Sequence, residues 1–255
     1  MTIFTKAIVR TPGRSMPSGL TNANLGAPVH QKALEQHQQY IAVLESCGLE
    51  VLVLSADELY PDSTFVEDVA VLTLHCAVIT RPAAPSRAGE TESIRPVLER
   101  FYSDIEQIEA PGTLDGGDVL QIKNHFYIGL SARTNLDGAE QLIAILGRYG
   151  FTGSTVAVTE FLHLKTGVTW VGGSRLLASG EFVVRPEFSD FAILPVEGDS
   201  AGAANCIRIN NTLLMPAGYP LIRQQLAVIE AEIIEVDISE FAKLDGGLTC
   251  LSLRF

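Results

Sequence analysis

The sequence is short of the features that mark membrane, secreted, metal-binding and nucleic-acid-binding proteins. No stretch approaches the roughly 20 apolar residues needed to cross a bilayer, so no membrane partner is expected. The opening MTIFTKAIVRTPGRS breaks its apolar runs with Lys6 and Arg10 and lacks the order of a secretory signal. Four cysteines, Cys47, Cys76, Cys206 and Cys250, form no CxxC pair and read as free thiols of a cytoplasmic protein. Five histidines (His30, His37, His75, His125, His163) show neither HxH nor HExxH spacing, so no metal site is expected. Basic residues are scarce: 18 Lys+Arg against 30 Asp+Glu give a formal charge of −12 and a pI near 4.8. That balance argues against nucleic acid, which needs a basic surface, and favours a cationic small molecule.

What is present is apolar and periodic. At 255 residues and 47% hydrophobic, the chain can bury a core, and no low-complexity linker divides it, so residues 1–255 read as one catalytic domain. Ala83 to Thr91 (AAPSRAGET) reads as an exposed loop. Short apolar runs entered through acidic or Gly-rich turns recur at FVEDVAVLTL, LDGGDVLQI, HLKTGVTWV, AANCIRINNTLLM and LDGGLTCLSLRF. Their spacing, roughly 40–50 residues, is that of repeat architectures. Between them, 31–47, 135–149 and 222–230 carry helical apolar stripes, with Asn135 or Asp137 as a cap, and each is followed by a strand: LEVLVL, STVAVT and EIIEVD. The expectation is an α/β chain whose five units close into a ring around a central site.

Several residues could carry chemistry. Cys250 follows a Gly-rich turn, where a thiol can stand at a pocket mouth; a buried strand cysteine is the competing reading. His163 opens HLKTG after Phe161-Leu162, and a lone histidine is usually structural. Glu67-Asp68 lie between Phe65-Val66 and Val69-Ala70, where unpaired carboxylates are costly and a cationic partner is called for. Asp115 fits the same reasoning, whereas Asp118 reads as a turn residue. Trp170, the only tryptophan, reads as core or interface, and Cys206 as structural.

These residues resemble a known group. Cys250 in LDGGLTC, His163 in HLKTG, FVEDVA and LDGGDVL are similar to the guanidine-modifying, or pentein, superfamily. RTPGRSMPSGLT, PDSTFVEDVAV, ITRPAAPSRAGETE, HFYIGLSARTN, AANCI and MPAGYP, in order, resemble the dimethylarginine dimethylaminohydrolase family. Related arginine and agmatine deiminases are substantially longer. The resemblance implies a five-bladed, pseudo-symmetric α/β propeller of ββαβ-type repeats around a central active site. It implies hydrolysis of Nω,Nω-dimethyl- or Nω-monomethyl-L-arginine to citrulline and a methylamine, without a cofactor, through a covalent intermediate on Cys250. By the same resemblance His163 is acid and base, and Asp115, at a position that varies between Asp and Glu, orients it. Glu67 and Asp68 grip the guanidinium. Arg87 and Arg133 hold the α-carboxylate, while Asp62 and the Leu20 carbonyl take the α-amino group under a lid spanning 17–27. Relatives suggest a homodimer.

The chemistry is coherent with that cast. A guanidinium is a poor electrophile, so attack on it at neutral pH needs a thiolate-grade nucleophile, and a bound cation would favour that thiolate. Two alternatives remain at this level. One is a deiminase or amidino-transfer relative acting on arginine or another substituted guanidine; the other is a non-catalytic binder of arginine derivatives.

Overall fold

The computed structural model describes residues 3–255. In chain order β1 (Lys6–Arg10) leads through α1 (His30–Ser46) to β2 (Glu50–Leu54). A full repeat follows: β3 (Ala70–Leu72), β4 (Ala77–Ile79), α2 (Glu90–Leu98) and β5 (Ile105–Gln107). The next is β6 (Val119–Ile122), β7 (His125–Leu130), α3 (Leu136–Arg148) and β8 (Thr152–Ala157). The short α4 (Leu164–Gly167) precedes β9 (Val168–Gly172), β10 (Arg175–Ser179) and β11 (Ala192–Val196). Then come β12 (Ile207–Ile209), β13 (Thr212–Pro216), α5 (Pro220–Gln225) and β14 (Glu232–Val236). After α6 (Ser239–Ala242), β15 (Leu253–Arg254) returns to β1.

The strands make five separate three-stranded sheets with one pattern: an antiparallel pair, then a crossover to a third strand lying parallel to the second. The antiparallel pair is a hairpin in four of them and joins the chain's last strand, β15, to its first, β1, in the fifth. Lys6 pairs with Glu50 across β1 and β2, and Thr212 with Glu232 across β13 and β14. A parallel pair cannot be joined by a tight turn, which is why a helix fills each crossover. The exception is the β10–β11 crossover, where two 3-10 turns, Gly180–Val184 and Pro186–Phe188, replace the helix. Pro186, the first residue of the second turn, has no amide hydrogen to continue a helix.

The core explains the ring. Each helix packs its own sheet on the sheet before it in the chain. Leu142, Ile145 and Leu146 of α3 meet Val71 and Val78 of β3 and β4. Ile94 and Leu98 of α2 meet Ile8 of β1 and Leu253 of β15. Ile222 of α5 meets Val171 and Leu177, and Phe182 and Phe188 take the helix's place against Leu120 and Val156. Tyr40 and Leu44 of α1 close the circle on Ile209, Leu214 and Val236. The five-unit ring expected from the sequence is the fold observed, and one strand of every sheet (β3, β6, β9, β12, β15) lines its axis.

The helices at 31–47 and 135–149 stand where their stripes put them, α3 capped by the Asn135 side chain accepting from the Gly138 amide. The third, at 222–230, is shorter: α5 ends at Gln225 and continues as a 3-10 turn to Val228.

Tyr40 is fully buried, donates to the Leu248 carbonyl at 3.1 Å and lies 2.6 Å from Ser252 Oγ, tying α1 to the C-terminal turn. Tyr40→Phe removes a hydroxyl from two buried partners and should cost about 1–2 kcal/mol. Urea unfolding checks this: a lowered midpoint with unchanged slope is expected, and an unmoved midpoint would show that the tie carries no stability.

Candidate active site

Each axis-lining strand begins at a tight turn. Val66–Val69 precedes β3, Gly116–Asp118 precedes β6, α4 precedes β9, Gly198–Ala204 precedes β12 and Thr249–Leu251 precedes β15. Since these five strands share the axis, their starting turns meet at one end of it. Glu67 and Asp68, Asp115, His163, Asn205 and Cys250 are thereby gathered from five points in the chain.

At the centre, His163 Nε2 lies 3.3 Å from Asp115 Oδ2, and both residues are buried. Donor atoms of Asp68, Asp115 and His163 all lie within 4.8 Å of one another. Such a set could ligate a cation, a possibility invisible in the linear spacing of the histidines. Burial opposes charge on the imidazole, but the carboxylates of Asp68, Asp118 and Asp115 outweigh it and raise its pKa to about 9. His163 is therefore an imidazolium at neutral pH.

The Gly-rich turn is what allows this approach. A Cβ on Gly117 would stand 2.8 Å from His163 Nδ1, while the Gly117 amide donates to Asp68 Oδ1 at 2.9 Å. Asp118 is more than a turn residue. It is fully buried and accepts from Ser131 Oγ and Thr134 Oγ1, each at 2.7 Å, and from the Leu164 amide at 2.9 Å. It thus joins its own turn to the one carrying His163 and to the loop carrying Arg133. Desolvation pushes its pKa up to about 6 despite His163 nearby and those donors.

Glu67 receives Lys165 Nζ at 2.6 Å and Arg254 Nη2 at 2.9 Å, both on Oε1, while its buried Oε2 has no partner. Neither cation was singled out by the sequence; Lys165, two residues after His163, was the nearer to a motif. Cys250 is half-buried, and desolvation, reinforced by Glu67 and Asp68, pushes its thiol up to about 12 against a Gly247 amide bond and Lys165. The resting pair is thus neutral thiol and imidazolium. Cys76 and Cys206 are buried, as core cysteines should be, whereas Cys47 is half-buried.

Asn205 clasps the turns that carry His163 and Cys250. Its Nδ2 donates to the Lys165 carbonyl at 2.7 Å and to Thr249 Oγ1 at 3.0 Å, and its Oδ1 accepts the Thr249 amide at 3.0 Å. Gly247 makes room for it, since a Cβ there would fall 2.4 Å from the carboxamide. AANCI drew attention to Cys206 in the sequence, but its neighbour Asn205 is the one that faces the site.

The segment expected as an exposed loop, 83–91, differs. Pro85–Arg87 forms a 3-10 turn, and Arg87 and Glu90 are buried. Arg87 draws the segment inward: Nη1 meets Asp68 Oδ2 at 2.5 Å, Nε and Nη2 meet Glu90 at 3.0 and 2.7 Å, and Nη2 also donates to the Phe65 carbonyl at 3.0 Å. Of five guanidinium hydrogens, one on Nη1 is left. Asp62 accepts from the Leu20 amide at 3.0 Å, and burial raises its pKa even though Arg87 and Arg133 pull it down. Arg133 is half-buried, and its side chain bonds no other residue among those described. Residues 17–27 are largely exposed and held from below, with Asn22 N donating to Asp245 Oδ2 at 2.6 Å. The two LDGG tetrapeptides therefore differ in use: Asp115 faces His163, and Asp245 holds the exposed segment.

Fold and site together define a hydrolase of amidine carbon–nitrogen bonds on a pentein propeller. Residues 23–173 match the family model described as N,N dimethylarginine dimethylhydrolase, eukaryotic. The chain is 51% identical over 254 residues to the N(G),N(G)-dimethylarginine dimethylaminohydrolase of Pseudomonas aeruginosa, covering 99% of this chain and 100% of that one. It is 38% identical over 251 residues to the Streptomyces coelicolor enzyme of the same name, covering 98% and 96%. The chain belongs to the dimethylarginine dimethylaminohydrolase family. A solved structure of the Pseudomonas aeruginosa enzyme, a cysteine-to-serine mutant complexed with citrulline, superposes with a TM-score of 0.98 at 50% identity over all of both chains. The N-terminal domain of a cyanobacterial arginine dihydrolase shares the fold at 19% identity, with a TM-score of 0.86 over 98% of this chain and 97% of that one.

With the Cys250 thiol near 12, its alkylation by iodoacetamide in the ligand-free protein should climb about tenfold per pH unit from about pH 7 to 10, without a plateau. Peptide mapping of the Cys250 adduct follows it. A plateau from neutral pH upward would reveal a thiolate already formed at rest.

Proposed function

We propose that the protein hydrolyses Nω,Nω-dimethyl-L-arginine, and the monomethyl form, to L-citrulline and the corresponding methylamine, with Cys250 as nucleophile. The observation that carries this reading is the charge of the site: Glu67, Asp68 and Asp115 are buried at one end of the axis, and desolvation together with Glu67 and Asp68 suppresses ionisation of the Cys250 thiol. A guanidinium placed among them reverses that field and lowers the thiol's pKa where it is needed. The substrate therefore promotes its own attack.

In this reading the thiol releases its proton to solvent as the cation binds, since His163 is already protonated, and Sγ bonds to the guanidinium carbon. The carbon–nitrogen bond to the methylated nitrogen breaks while His163, protonated at rest, gives its proton to the departing amine. A thiouronium remains on Cys250. His163, now neutral, takes one proton from water as the oxygen adds to the carbon. The carbon–sulfur bond then breaks, the departing sulfur takes up the remaining hydroxyl proton, and citrulline leaves with the resting thiol and imidazolium restored. Asp115 holds the imidazole in place and offsets its charge. The orphaned Glu67 Oε2 is the acceptor a guanidinium N–H would satisfy, with Asp68 as its partner in the grip.

At the other end of the substrate, Arg133 offers an uncommitted fork to the α-carboxylate, and Arg87 adds the one hydrogen that Asp68, Glu90 and the Phe65 carbonyl leave. Asp62 takes the α-amino group with the Leu20 carbonyl, beneath a lid of residues 17–27. No helix among the described residues is long and apolar enough to cross a membrane. We place the protein in the cytoplasm as a homodimer of single catalytic domains spanning 1–255, on the unpaired thiols and on the family resemblance.

Product analysis tests the reading, using asymmetric dimethylarginine, monomethylarginine, arginine and agmatine in separate incubations. Citrulline with dimethylamine from the first and little turnover of arginine is expected; citrulline and ammonia from arginine would move the activity to the deiminases. Arg133→Ala should raise KM for dimethylarginine at least tenfold, a loss of about 1.4 kcal/mol or more, and leave any agmatine turnover unchanged. Equal losses for both would exclude the carboxylate role.

A further inference from the structure

A cavity of about 180 Å³ follows the axis of the ring. Its floor includes Glu67, Lys165 and Arg254, and its walls extend to the opposite end of the axial strands, at Leu72, Lys123 and Asn210 beside three hairpin turns. At about 15 Å³ per water it holds about a dozen waters, or a ligand with a similar number of heavy atoms.

Its charge is the reverse of the protein's. In a chain of formal charge −12, four cations line this cavity, Lys123, Lys165, Arg208 and Arg254, and Glu67 is its one carboxylate. Lys165 and Arg254 share the same Glu67 oxygen, so a single negative charge answers both. Arg208 meets no carboxylate: Nη1 donates to the Val171 carbonyl at 2.6 Å, Nη2 to the Glu230 carbonyl at 3.3 Å, and its buried Nε has no partner. Burial accordingly lowers its pKa with no carboxylate opposing the shift. Lys123, in a left-handed turn conformation with φ 55°, makes no ion pair among the described residues. Arg208 is half-buried with a buried, unpartnered Nε, and a cation so placed without an anion is costly; Lys123, exposed at the far mouth of the cavity, adds a second positive charge that no carboxylate answers. Between the charges the wall is apolar and partly aromatic, from Leu120, Phe126 and Trp170.

We propose that the axial cavity binds a small organic anion, a carboxylate on a flat apolar body, with Arg208 and Lys123 taking the carboxylate and Trp170 the body. The cavity shares Glu67 and Lys165 with the thiol end of the axis at its floor, but the proposed anion contacts lie at Arg208, Lys123 and Trp170 and do not rest on the proposed reaction.

The probe is benzoate. Trp170 is the only tryptophan, so emission excited selectively in tryptophan, apart from the six tyrosines, arises from one wall of this cavity. Titrating the full-length protein with benzoate should give a saturable change that excess citrulline does not displace, with inorganic phosphate, which lacks the apolar body, binding more weakly. Lys123→Met, on a turn where its side chain bonds nothing, and Arg208→Met should each weaken the affinity at least about fivefold. The proposal is overturned by a non-saturating response, by unchanged affinity in Lys123→Met and Arg208→Met, or by displacement of benzoate with citrulline.

Discussion

Six carboxylates are buried around one end of this propeller: Asp62, Glu67, Asp68, Glu90, Asp115 and Asp118. Removing an anion from water is costly unless a cation or several donors replace the solvent, and the surrounding structure is organised to provide them. Arg87 answers Asp68 and Glu90, Lys165 and Arg254 answer Glu67, and protonated His163 answers Asp115. Asp118, without a cation in hydrogen-bond reach, takes two hydroxyls and an amide. Four internal cations among six carboxylates leave the cluster short of positive charge. The raised pKa values of Asp62, Glu90 and Asp118, driven by burial, register the same shortage. A guanidinium substrate supplies what is missing, so the site's affinity for cations follows from its own incomplete neutralisation.

The pentein ring is what makes such a cluster constructible. A single sheet could not bring six acids to one point without burying their backbone as well. Five short strands around an axis can, because each contributes only the turn at its start while its backbone hydrogen bonds are met by the antiparallel strand beside it. Glycine sets the limiting distance: Gly117 lets the imidazole lie against the neighbouring turn, and Gly247 admits the Asn205 clasp. The helices act at the rim, each fastening its sheet to the preceding one, so the ring and the geometry at its centre depend on the same apolar contacts.

Much of this was legible in the sequence, and what was not shares a cause. The five turn-plus-strand units stood out because turn chemistry and strand apolarity are local, and α1 and α3 followed from their stripes. Cys250, His163, Glu67, Asp68 and Asp115 lie in those units, and they meet at one end of the axis. The 83–91 segment misled because its Pro, Ser, Gly and charged residues read as solvated, whereas Arg87 is drawn inward by carboxylates at Asp68 and Glu90. The missing helix between β10 and β11 is replaced by Phe182 and Phe188, which supply a helix's apolar contact without its periodicity. Asp118, Asn205, Lys165 and Arg254 act across sheets, and a pairing between blades leaves no trace in local spacing. The two LDGG turns show the limit best, since identical residues serve the imidazole in one and the exposed segment in the other.

The central claim is that Cys250 attacks the guanidinium carbon and carries the substrate covalently. An acid-quenched single turnover with dimethylarginine, followed by mass analysis of the C-terminal peptide, tests it directly. The expected result is a transient adduct on Cys250 with the mass of the substrate less dimethylamine, rising before citrulline appears and absent from Cys250→Ser. Citrulline formed with Cys250 unmodified at every quench time would contradict the claim, as would turnover surviving in Cys250→Ser.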